Sequence, residues 1–346
     1  MPTPPAPASA PVDPASAQVG LPGPLTGAVP VALVRRGSVV ESAHHGHVVL
    51  LGPEGQVLGA LGDPHALVLP RSSLKPVQAL AMLEAGLRLG GDLLALAAAS
   101  HSGEDFHVDG ARRVLASVGL DESALRNTPD LPYDGDLRAL WRAEGREPAR
   151  LVANCSGKHA AMLATCVAAG WPTEGYLAPS HPLQRAVLAT TARETGAAPE
   201  DLSAHLTTDG CGTPLPLLPL SGLARAFSRW AAAEASSPAG TLAGAVRDFP
   251  VWLGGTRRDV TALLRGVPGL VAKDGAESVY AAALPDGRAV ALKILDGGDR
   301  ARRVVMAAAL QALGVDAPVV REEASAPVLG HGEPVGEVVG VPVPLR

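Results

Sequence analysis

Aromatic residues are scarce in this chain, which has four tryptophans, three tyrosines and three phenylalanines among its 346 residues. Proteins that bind single-stranded nucleic acids stack the bases on aromatic side chains, and proteins that bind duplexes present a strongly basic surface. Here the formal net charge is -5 and the sequence pI is about 6.1. We therefore expect no nucleic-acid partner.

Long apolar runs are also missing, although 47% of the residues are hydrophobic. A membrane-spanning helix needs roughly 18 or more consecutive apolar residues, so we expect no membrane segment. Residues 1–30 are rich in proline and alanine and lack the basic and apolar regions of a signal peptide. We interpret residues 1–30 as a disordered tail and residues 31–346 as a single domain.

Cysteine occurs only three times, at Cys155, Cys166 and Cys211. An odd and small number of cysteines cannot make a complete disulfide framework. Free thiols are typical of the reducing cytoplasm, so the sequence predicts a cytoplasmic location.

Lysine is scarce relative to arginine. Of 29 basic residues, the lysines are only Lys75, Lys158, Lys273 and Lys293. Arginine can replace lysine wherever only a positive charge is required, but not where an amine must lose its proton, because guanidinium stays charged at any working pH. The remaining lysines are therefore candidates for chemistry.

Strand patterns lie towards both ends of the chain, and helix patterns lie between them. Residues 278–284 and 288–295 flank Pro285-Asp286-Gly287, which indicates a hairpin. The order predicts an α/β (α+β) fold. An antiparallel sheet is formed by residues 31–70 and 270–295, a helical region is inserted at 76–265, and a helix over 300–313 closes the domain.

The segment Ser72-Ser73-Leu74-Lys75 follows a predicted strand and opens a predicted helix. Residues three apart on a helix share a face, with a rise of ~4.5 Å, so the Lys75 amine is expected within reach of the Ser72 hydroxyl. A serine needs a base to take its proton, and a buried lysine with a lowered pKa can be that base. The same Ser-x-x-Lys arrangement serves β-lactamases and penicillin-binding proteins. The bare pattern is common, so a coincidental match is the alternative.

Two further segments occur in the order expected for such enzymes. Ser100-His101-Ser102-Gly103-Glu104 follows a buried apolar run, and Lys273-Asp274-Gly275 precedes the C-terminal hairpin. Ser-Lys hydrolases carry a third motif, Lys-Thr-Gly, on a strand that lines the site, and here aspartate replaces its threonine. The alternatives are a helix cap for the first segment and an ordinary turn lysine for the second.

Cysteines occupy two other polar segments, Asn154-Cys155-Ser156-Gly157-Lys158-His159 and Asp209-Gly210-Cys211-Gly212. Two thiolates with a third ligand would suit zinc, which is tetrahedral and takes sulfur well. Lysine is a rare ligand because it must first lose its proton. The alternative is two buried free cysteines that act as small apolar groups.

Together these motifs resemble the asparaginase II family, the thermolabile rhizobial type of bacterial L-asparaginase. The matching segments, in family order, are Ala60–Gly62, Arg71–Pro76, Ala99–Ser102 with Glu104 and Asp105, Asn154–His159, Thr208–Cys211, and Lys273 with Gly275 and Ala276. The resemblance implies a fold shared with serine β-lactamases and glutaminases. It also implies hydrolysis of L-asparagine, a homodimer, and one zinc ion per chain that aids substrate binding rather than supplying the nucleophile.

The resemblance also implies roles for particular residues. Ser72 would be the nucleophile and Lys75 its base, while Ser100 with Lys273 would form a second pair that passes protons to the leaving ammonia. The substrate would contact Arg71, His101 and Asp209. The zinc ligands would be Cys155, Lys158 and Cys211, with water as the fourth.

The chain departs from the family pattern at two places. Phe249-Pro250 stands where the family often has His-Pro, and Gly255-Thr256-Arg257-Arg258 stands for Gly-Thr-Gly-Arg. These changes affect the expected contacts at the edge of the substrate and the expected shape of the loop. Other readings are a glutaminase, a β-lactam-processing enzyme, or a non-catalytic zinc-binding or ligand-sensing protein.

Overall fold

A computed structural model describes residues 23–346. Its strands are β1 Val29–Arg36, β2 Val39–Leu51, β3 Val57–Leu61, β4 Leu67–Val68, β5 Thr207–Thr208, β6 Pro214–Leu215, β7 Leu218–Pro219, β8 Val271–Gly275, β9 Val279–Ala283, β10 Ala289–Ile294, β11 Ser325–Gly330 and β12 Glu333–Gly340. The first helices are α1 Lys75–Glu84, α2 Gly91–Ala97, α3 Asp105–Ala116, α4 Gly135–Ala143, α5 Ser156–Ala168, α6 Pro182–Thr195 and α7 Pro199–Ala204. The remaining helices are α8 Leu220–Ala231, α9 Pro238–Asp248, α10 Pro250–Leu253, α11 Asp259–Gly266, α12 Arg302–Ala312 and α13 Pro318–Glu322.

One antiparallel sheet joins the two ends of the described chain. Its strand order is β11-β12-β1-β2-β10-β9-β8, and β3 also pairs with β2. The N-terminal and C-terminal segments meet between β2 and β10, where Val48 is opposite Leu292. Helices α1 to α11 are inserted between β4 and β8. The predicted fold class, an antiparallel sheet from both termini with a helical insertion, is therefore confirmed.

A C-terminal hairpin, β11–β12, extends the sheet beyond the predicted strands. It follows α12, which is the predicted closing helix, and β12 pairs with β1 through Val338 and Val34. Pro327 and Gly336 lie within its strands and weaken the strand pattern, which explains why the sequence did not reveal it. At the other end, β1 begins at Val29, inside the predicted tail, and most of that tail lies outside the described residues.

The centre of the sheet is covered on both faces, because every residue of β8, β9 and β10 is buried. Helix α8 packs against β9 and β10, and helix α12 packs against β10 and β12. Strand β8 is the edge strand, and it lies beside a short 3-10 helix, Arg71–Leu74, that precedes α1. This edge is where the predicted Ser-x-x-Lys segment meets the predicted Lys273 segment. No helix among residues 23–346 has the length and hydropathy to cross a bilayer.

A glycine sets the distance between two helices behind this edge. A Cβ atom on Gly157, in the first turn of α5, would lie 2.4 Å from the Cγ atom and 2.7 Å from the carbonyl oxygen of Leu96 in α2. Only glycine therefore allows the start of α5 to approach the end of α2. The same turn of α5 carries Lys158, so this packing also places one of the candidate site residues.

We expect Gly157→Ala to lower the free energy of unfolding by about 1–3 kcal/mol, because the methyl group would overlap Leu96. Gly244→Ala in α9 is the matched control. No atom lies within 4 Å of a Cβ atom at that position, and we expect it to raise stability by about 0.5–1 kcal/mol because alanine favours the helix. Urea unfolding measures both. Equal effects of the two substitutions would contradict the packing.

Candidate active site

Ser72 lies in the 3-10 helix between β4 and α1, and the residue before it has an unusual backbone conformation. Arg71 has a φ of 51°, a left-handed value that costs a non-glycine residue of order 1–3 kcal/mol. The strand residue Gly275 passes so close that a Cβ atom there would lie 3.0 Å from the backbone nitrogen of Ser73 and 3.3 Å from that of Ser72. Within residues 23–346 no backbone carbonyl accepts the Ser72 N–H, so that group is available to a developing oxyanion.

Lys75 is buried at the start of α1, and its amine has only neutral partners. The Nζ atom donates to the carbonyl oxygen of Ala99 at 2.6 Å, to Ser100 Oγ at 3.0 Å and to Asn154 Oδ1 at 3.4 Å. Burial lowers the pKa of Lys75 to about 7, helped by the positive charges of Lys158 and Lys273. A large fraction of this amine is therefore neutral near pH 7 and able to accept a proton.

The pairing of serines with lysines differs from the prediction. The acceptors of Lys75 include Ser100 Oγ but not Ser72 Oγ, and Ser72 makes no side-chain hydrogen bond within the described chain. Ser72 and Lys75 do line one cavity. The predicted direct bond is therefore absent in this state, and Ser100 is the hydroxyl next to the base. Catalytic hydrogen bonds are often long before substrate binds. The observation that bears on catalysis is therefore that Ser72 and Lys75 line the same cavity.

Lys273 is fully buried on β8, and its amine makes no hydrogen bond to Ser100 within the described residues, so that pair stays a prediction. Its Nζ donates to the carbonyl oxygen and to Oδ1 of Asp274, at 2.6 Å and 2.8 Å. Burial lowers the pKa of Lys273 to about 8; Asp274 opposes this shift, and Arg258 and Arg302 add to it. The aspartate that replaces the expected threonine is thus the direct partner of this amine.

A cavity of about 210 Å³ opens at this point. It is lined by Arg71, Ser72, Lys75, Thr128, Pro129, Asp130, Ala153, Asn154, Cys155, Asp209, Gly210, Cys211 and Ala276. Most of the predicted site residues therefore share one cavity wall, although they come from three separate segments of the chain. Ser100, Lys158 and Lys273 are buried and do not line it.

Arg71 and Asp209 form an ion pair on the cavity wall. The distance from Arg71 Nε to Asp209 Oδ1 is 2.8 Å, and the two side chains are only 24% and 13% exposed. A partly buried pair of opposite charges can bind both charged groups of a zwitterion. The structure therefore brings these two predicted substrate contacts together.

His101 is not at the cavity, which corrects its predicted contact with the substrate. The residue is fully buried, its Nε2 bonds Ser156 Oγ at 2.9 Å, and its Nδ1 accepts from the Gly103 N–H at 3.2 Å. Its ring stacks on His107 with the centroids 4.9 Å apart. Burial lowers the pKa of His101 well below its usual range, so a neutral ring supports the loop behind Ser100.

Cys155 and Cys211 meet at the floor of the cavity, as the metal hypothesis requires. Lys158 Nζ donates to Cys211 Sγ at 3.1 Å and to Thr213 Oγ1 at 3.3 Å. A hydrogen bond from Cys155 and the Lys158 ammonium lower the pKa of the Cys211 thiol, and the same hydrogen bond raises the pKa of Cys155. Burial disfavours the charge of Lys158, but the two sulfurs outweigh it and raise the pKa of Lys158. Without metal, this lysine is therefore an ammonium group.

His159 is the residue that the sequence reading missed at this cluster. One of its ring nitrogens and the sulfurs of Cys155 and Cys211 all lie within 4.8 Å of one another. Nδ1 bonds the Tyr176 hydroxyl at 2.8 Å, while Nε2 is buried without a hydrogen-bond partner. When Nδ1 carries the proton, Nε2 presents its lone pair to the sulfurs, which is the usual outer-shell arrangement of a metal-binding histidine. The motif that contains Cys155 already included this residue, so its i+4 spacing was the available signal.

Two more residues of the site were not predicted. Asn154 accepts from Lys75, and its carbonyl oxygen accepts from the His101 N–H at 3.0 Å. Arg258 donates to the carbonyl oxygen of Ser100 at 3.3 Å and to Asp274 Oδ2. Asn154 precedes the predicted metal ligand Cys155, and Arg258 lies in a segment that departs from the family pattern. Neither position in the sequence indicated what these side chains contact.

Comparison with known proteins gives one family match. The sequence model of the family described as L-asparaginase II matches residues 32–340. The comparison with curated proteins gave no match.

Solved structures show distant likenesses. A β-lactamase from Mycobacterium bovis is 14% identical, with 78% of this chain and 94% of that chain covered and a TM-score of 0.43. EstCE1, a hydrolase with promiscuous acyltransferase activity, is 14% identical with coverages of 78% and 90% and a TM-score of 0.34. Mglu, in its tris and glutamate form, is 14% identical with coverages of 82% and 62% and a TM-score of 0.33. These likenesses are too distant to indicate an activity.

We expect covalent labelling of Ser72 by a fluorophosphonate probe to rise with pH, with a midpoint at about pH 7. Lysine is neutral above its pKa and charged below it, so Lys75 accepts the serine proton only on the alkaline side. Lys75→Arg should slow labelling by about a hundredfold or more, since guanidinium cannot act as the base.

Intact-protein mass spectrometry measures this labelling. Lys293→Arg is the matched control, because Lys293 Nζ donates to the carbonyl oxygen of Glu277 and does not line the cavity. Labelling of the Lys75→Arg protein at the rate of the Lys293→Arg protein would show that Lys75 is not the base.

Proposed function

Because this chain belongs to the L-asparaginase II family, we propose that it hydrolyses the side-chain amide of L-asparagine to L-aspartate and ammonia through an acyl-enzyme on Ser72. That membership confirms the resemblance carried by the motifs, and the family supports an amidohydrolase. The observation that carries the mechanism is the buried Lys75 amine, which has neutral partners, a pKa of about 7 and a place on the same cavity wall as Ser72.

Acylation begins when Lys75 accepts the proton of Ser72 as the serine oxygen attacks the amide carbon. The Ser72 N–H faces the developing oxyanion. The carbon–nitrogen bond then breaks, and the leaving nitrogen takes a proton from the Lys75 ammonium through the Ser100 hydroxyl, which is bonded to it at 3.0 Å. Ammonia departs, and an aspartyl ester of Ser72 remains.

Deacylation uses the same groups in the opposite direction. A water molecule takes the place of ammonia and gives its proton to the neutral Lys75 through Ser100, while its oxygen attacks the ester carbon. The ester bond to Ser72 breaks, and the serine oxygen recovers a proton from the Lys75 ammonium. L-Aspartate leaves, and the enzyme returns to its starting protonation state.

The Arg71–Asp209 pair supplies the recognition of an amino acid. The substrate carries an α-carboxylate and an α-ammonium group, and the two side chains carry the matching opposite charges. Binding would exchange one ion pair for two within a partly buried site. A cavity of about 210 Å³ accommodates one small amino acid.

The metal part of the proposal concerns the floor of the cavity. The cysteine sulfurs and the unpartnered His159 nitrogen have the ligand chemistry that zinc prefers. We therefore assign Cys155, Cys211 and His159 to hold zinc. The family resemblance adds Lys158 as a ligand, and its Nζ lies 3.1 Å from Cys211 Sγ. A bound zinc would supply a positive charge beside the substrate site. Neither the nucleophile nor the base is one of these residues.

Two further expectations concern the assembly and the location of the protein. The expected homodimer rests on the family resemblance alone, and the expected cytoplasmic location rests on the free thiols. Both stay predictions.

We expect Ser72→Ala to reduce ammonia release from L-asparagine to the uncatalysed level while the protein stays folded, because the acyl-enzyme has no oxygen to form on. Ser73→Ala is the control, since the Ser73 hydroxyl bonds the carbonyl oxygen of Pro70 and does not line the cavity. A coupled ammonia assay with L-asparagine, L-glutamine and a β-lactam compares the substrates, as one methylene is worth only ~1–3 kcal/mol of discrimination. Full activity of the Ser72→Ala protein would end the mechanism.

We expect dialysed protein to retain about one zinc ion per chain. The Cys211→Ser and His159→Ala variants should each lose most of it, and Cys166→Ala should keep it because Cys166 packs in the core away from the cluster. Inductively coupled plasma mass spectrometry gives the metal content without an activity assay. A Cys211→Ser protein that retains stoichiometric zinc would rule out this site.

A further inference from the structure

A largely buried arginine, Arg258, connects two segments of the active site that are far apart in the sequence. The Arg258 guanidinium donates through Nη1 to the carbonyl oxygen of Ser100 at 3.3 Å and through Nη2 to Asp274 Oδ2. Its side chain is only 11% exposed and lies over the ring of Tyr133 at 4.4 Å. One planar group therefore holds the loop that carries Ser100 against strand β8, which carries Lys273.

The same contact divides the Asp274 carboxylate between two hydrogen-bonding cations, Lys273 and Arg258, and a third cation, Arg302, lies nearby. Oδ1 accepts from Lys273 Nζ at 2.8 Å, while Oδ2 faces Arg258, with Arg302 Nη1 at 3.7 Å. Without Arg258, the Asp274 carboxylate would interact more strongly with the Lys273 ammonium, and a positive charge near that amine would be lost. Both changes favour the ammonium form of Lys273.

We propose that Arg258 is a positioning residue of the active site, which fixes the Ser100 carbonyl against Asp274 and limits how strongly the Asp274 carboxylate pairs with Lys273. The direction of the Lys273 pKa agrees, since Arg258 is one of the charges that lower it to about 8. The catalytic consequence rests on the proposed function: the loop that Arg258 holds carries Ser100, whose hydroxyl accepts from Lys75 Nζ at 3.0 Å.

The charges around Lys273 come from several elements. Strand β8 contributes Asp274, the residue before α11 is Arg258, and α12 contributes Arg302. Asp259 and Asp299 pair with Arg302 at 3.6 Å and 2.8 Å, so they act on Lys273 through that arginine. On the cavity side, the nearby titratable group is Lys75. Tyr280, on β9 opposite Asp274, is buried, and burial raises its pKa, so its ring stays neutral.

The neighbouring Arg257 provides a contrast on the same loop. Its side chain is 56% exposed and pairs with Asp134 at 2.6 Å and with Asp136 at the N-terminal end of α4. In the described chain it makes no hydrogen bond or ion pair with Ser100 or Asp274. Consecutive arginines thus have different tasks, one at the surface and one inside the site.

The scarcity of lysine makes a direct measurement possible. Protein labelled with 13C at lysine Cε should give four lysine signals, for Lys75, Lys158, Lys273 and Lys293. The Lys273 signal is identified by its loss in Lys273→Met. We expect Arg258→Gln to move the titration midpoint of this signal upward by about one pH unit. Arg257→Gln should leave it unchanged.

Activity then tests the positioning. We expect Arg258→Gln to lower kcat by about tenfold with KM within about threefold of the wild type, because the Ser100 loop loses its contact with β8. Arg258→Lys keeps the charge but reaches only one acceptor. It should therefore keep the wild-type midpoint of Lys273 while recovering only part of kcat.

An unshifted Lys273 midpoint in folded Arg258→Gln protein, or an equal shift in Arg257→Gln, overturns the inference. If Arg258→Gln does not fold, a wild-type kcat in Arg258→Lys overturns the positioning role. The NMR titration needs no substrate. A wild-type protein that releases no ammonia from any amide would contradict the proposed function. The NMR titration of Lys273 would still test the role of Arg258.

Discussion

The burial of one amine among neutral partners is the constraint on which this site depends. Lys75 donates to a carbonyl, a hydroxyl and an amide oxygen, and no carboxylate pairs with it among the described residues. Desolvation therefore outweighs the opposing effect of the Cys155 and Cys211 sulfurs and lowers the pKa of this amine. The free-energy cost of burying a lysine falls when its amine loses the proton. The packing that excludes water from Lys75 therefore also favours the neutral amine, which can act as a base.

Three buried lysines show that the partner decides the result of burial. Lys75 has neutral partners and a pKa of about 7. Lys273 has a carboxylate that it shares with Arg258, and its pKa is about 8. Lys158 lies against a thiol with a lowered pKa, and its own pKa is raised. One residue type thus supplies a base, an amine with a divided counter-ion and, without metal, an ammonium group within a single site.

The fold explains why these groups can meet. The edge strand β8 approaches the 3-10 helix of Ser72 closely because Gly275 has no side chain, and Gly157 lets α5 carry Lys158 towards the same cavity. Arg258 then fastens the Ser100 loop to β8. Small residues permit the approach of the elements, and polar contacts fix their final positions.

The sequence by itself determined the residue types and their local order. The Ser-x-x-Lys segment, the cysteine segments and the sheet formed from both termini were all predicted, because helical spacing, turn signals and motif order are local properties. Only the tertiary structure decided which serine lies on Lys75, that His101 is turned into the core, that His159 joins the cysteines, and that Asp274 is divided between two cations. Those outcomes depend on distances between segments that are separate in the sequence, and they are set by packing and desolvation, which no local pattern records.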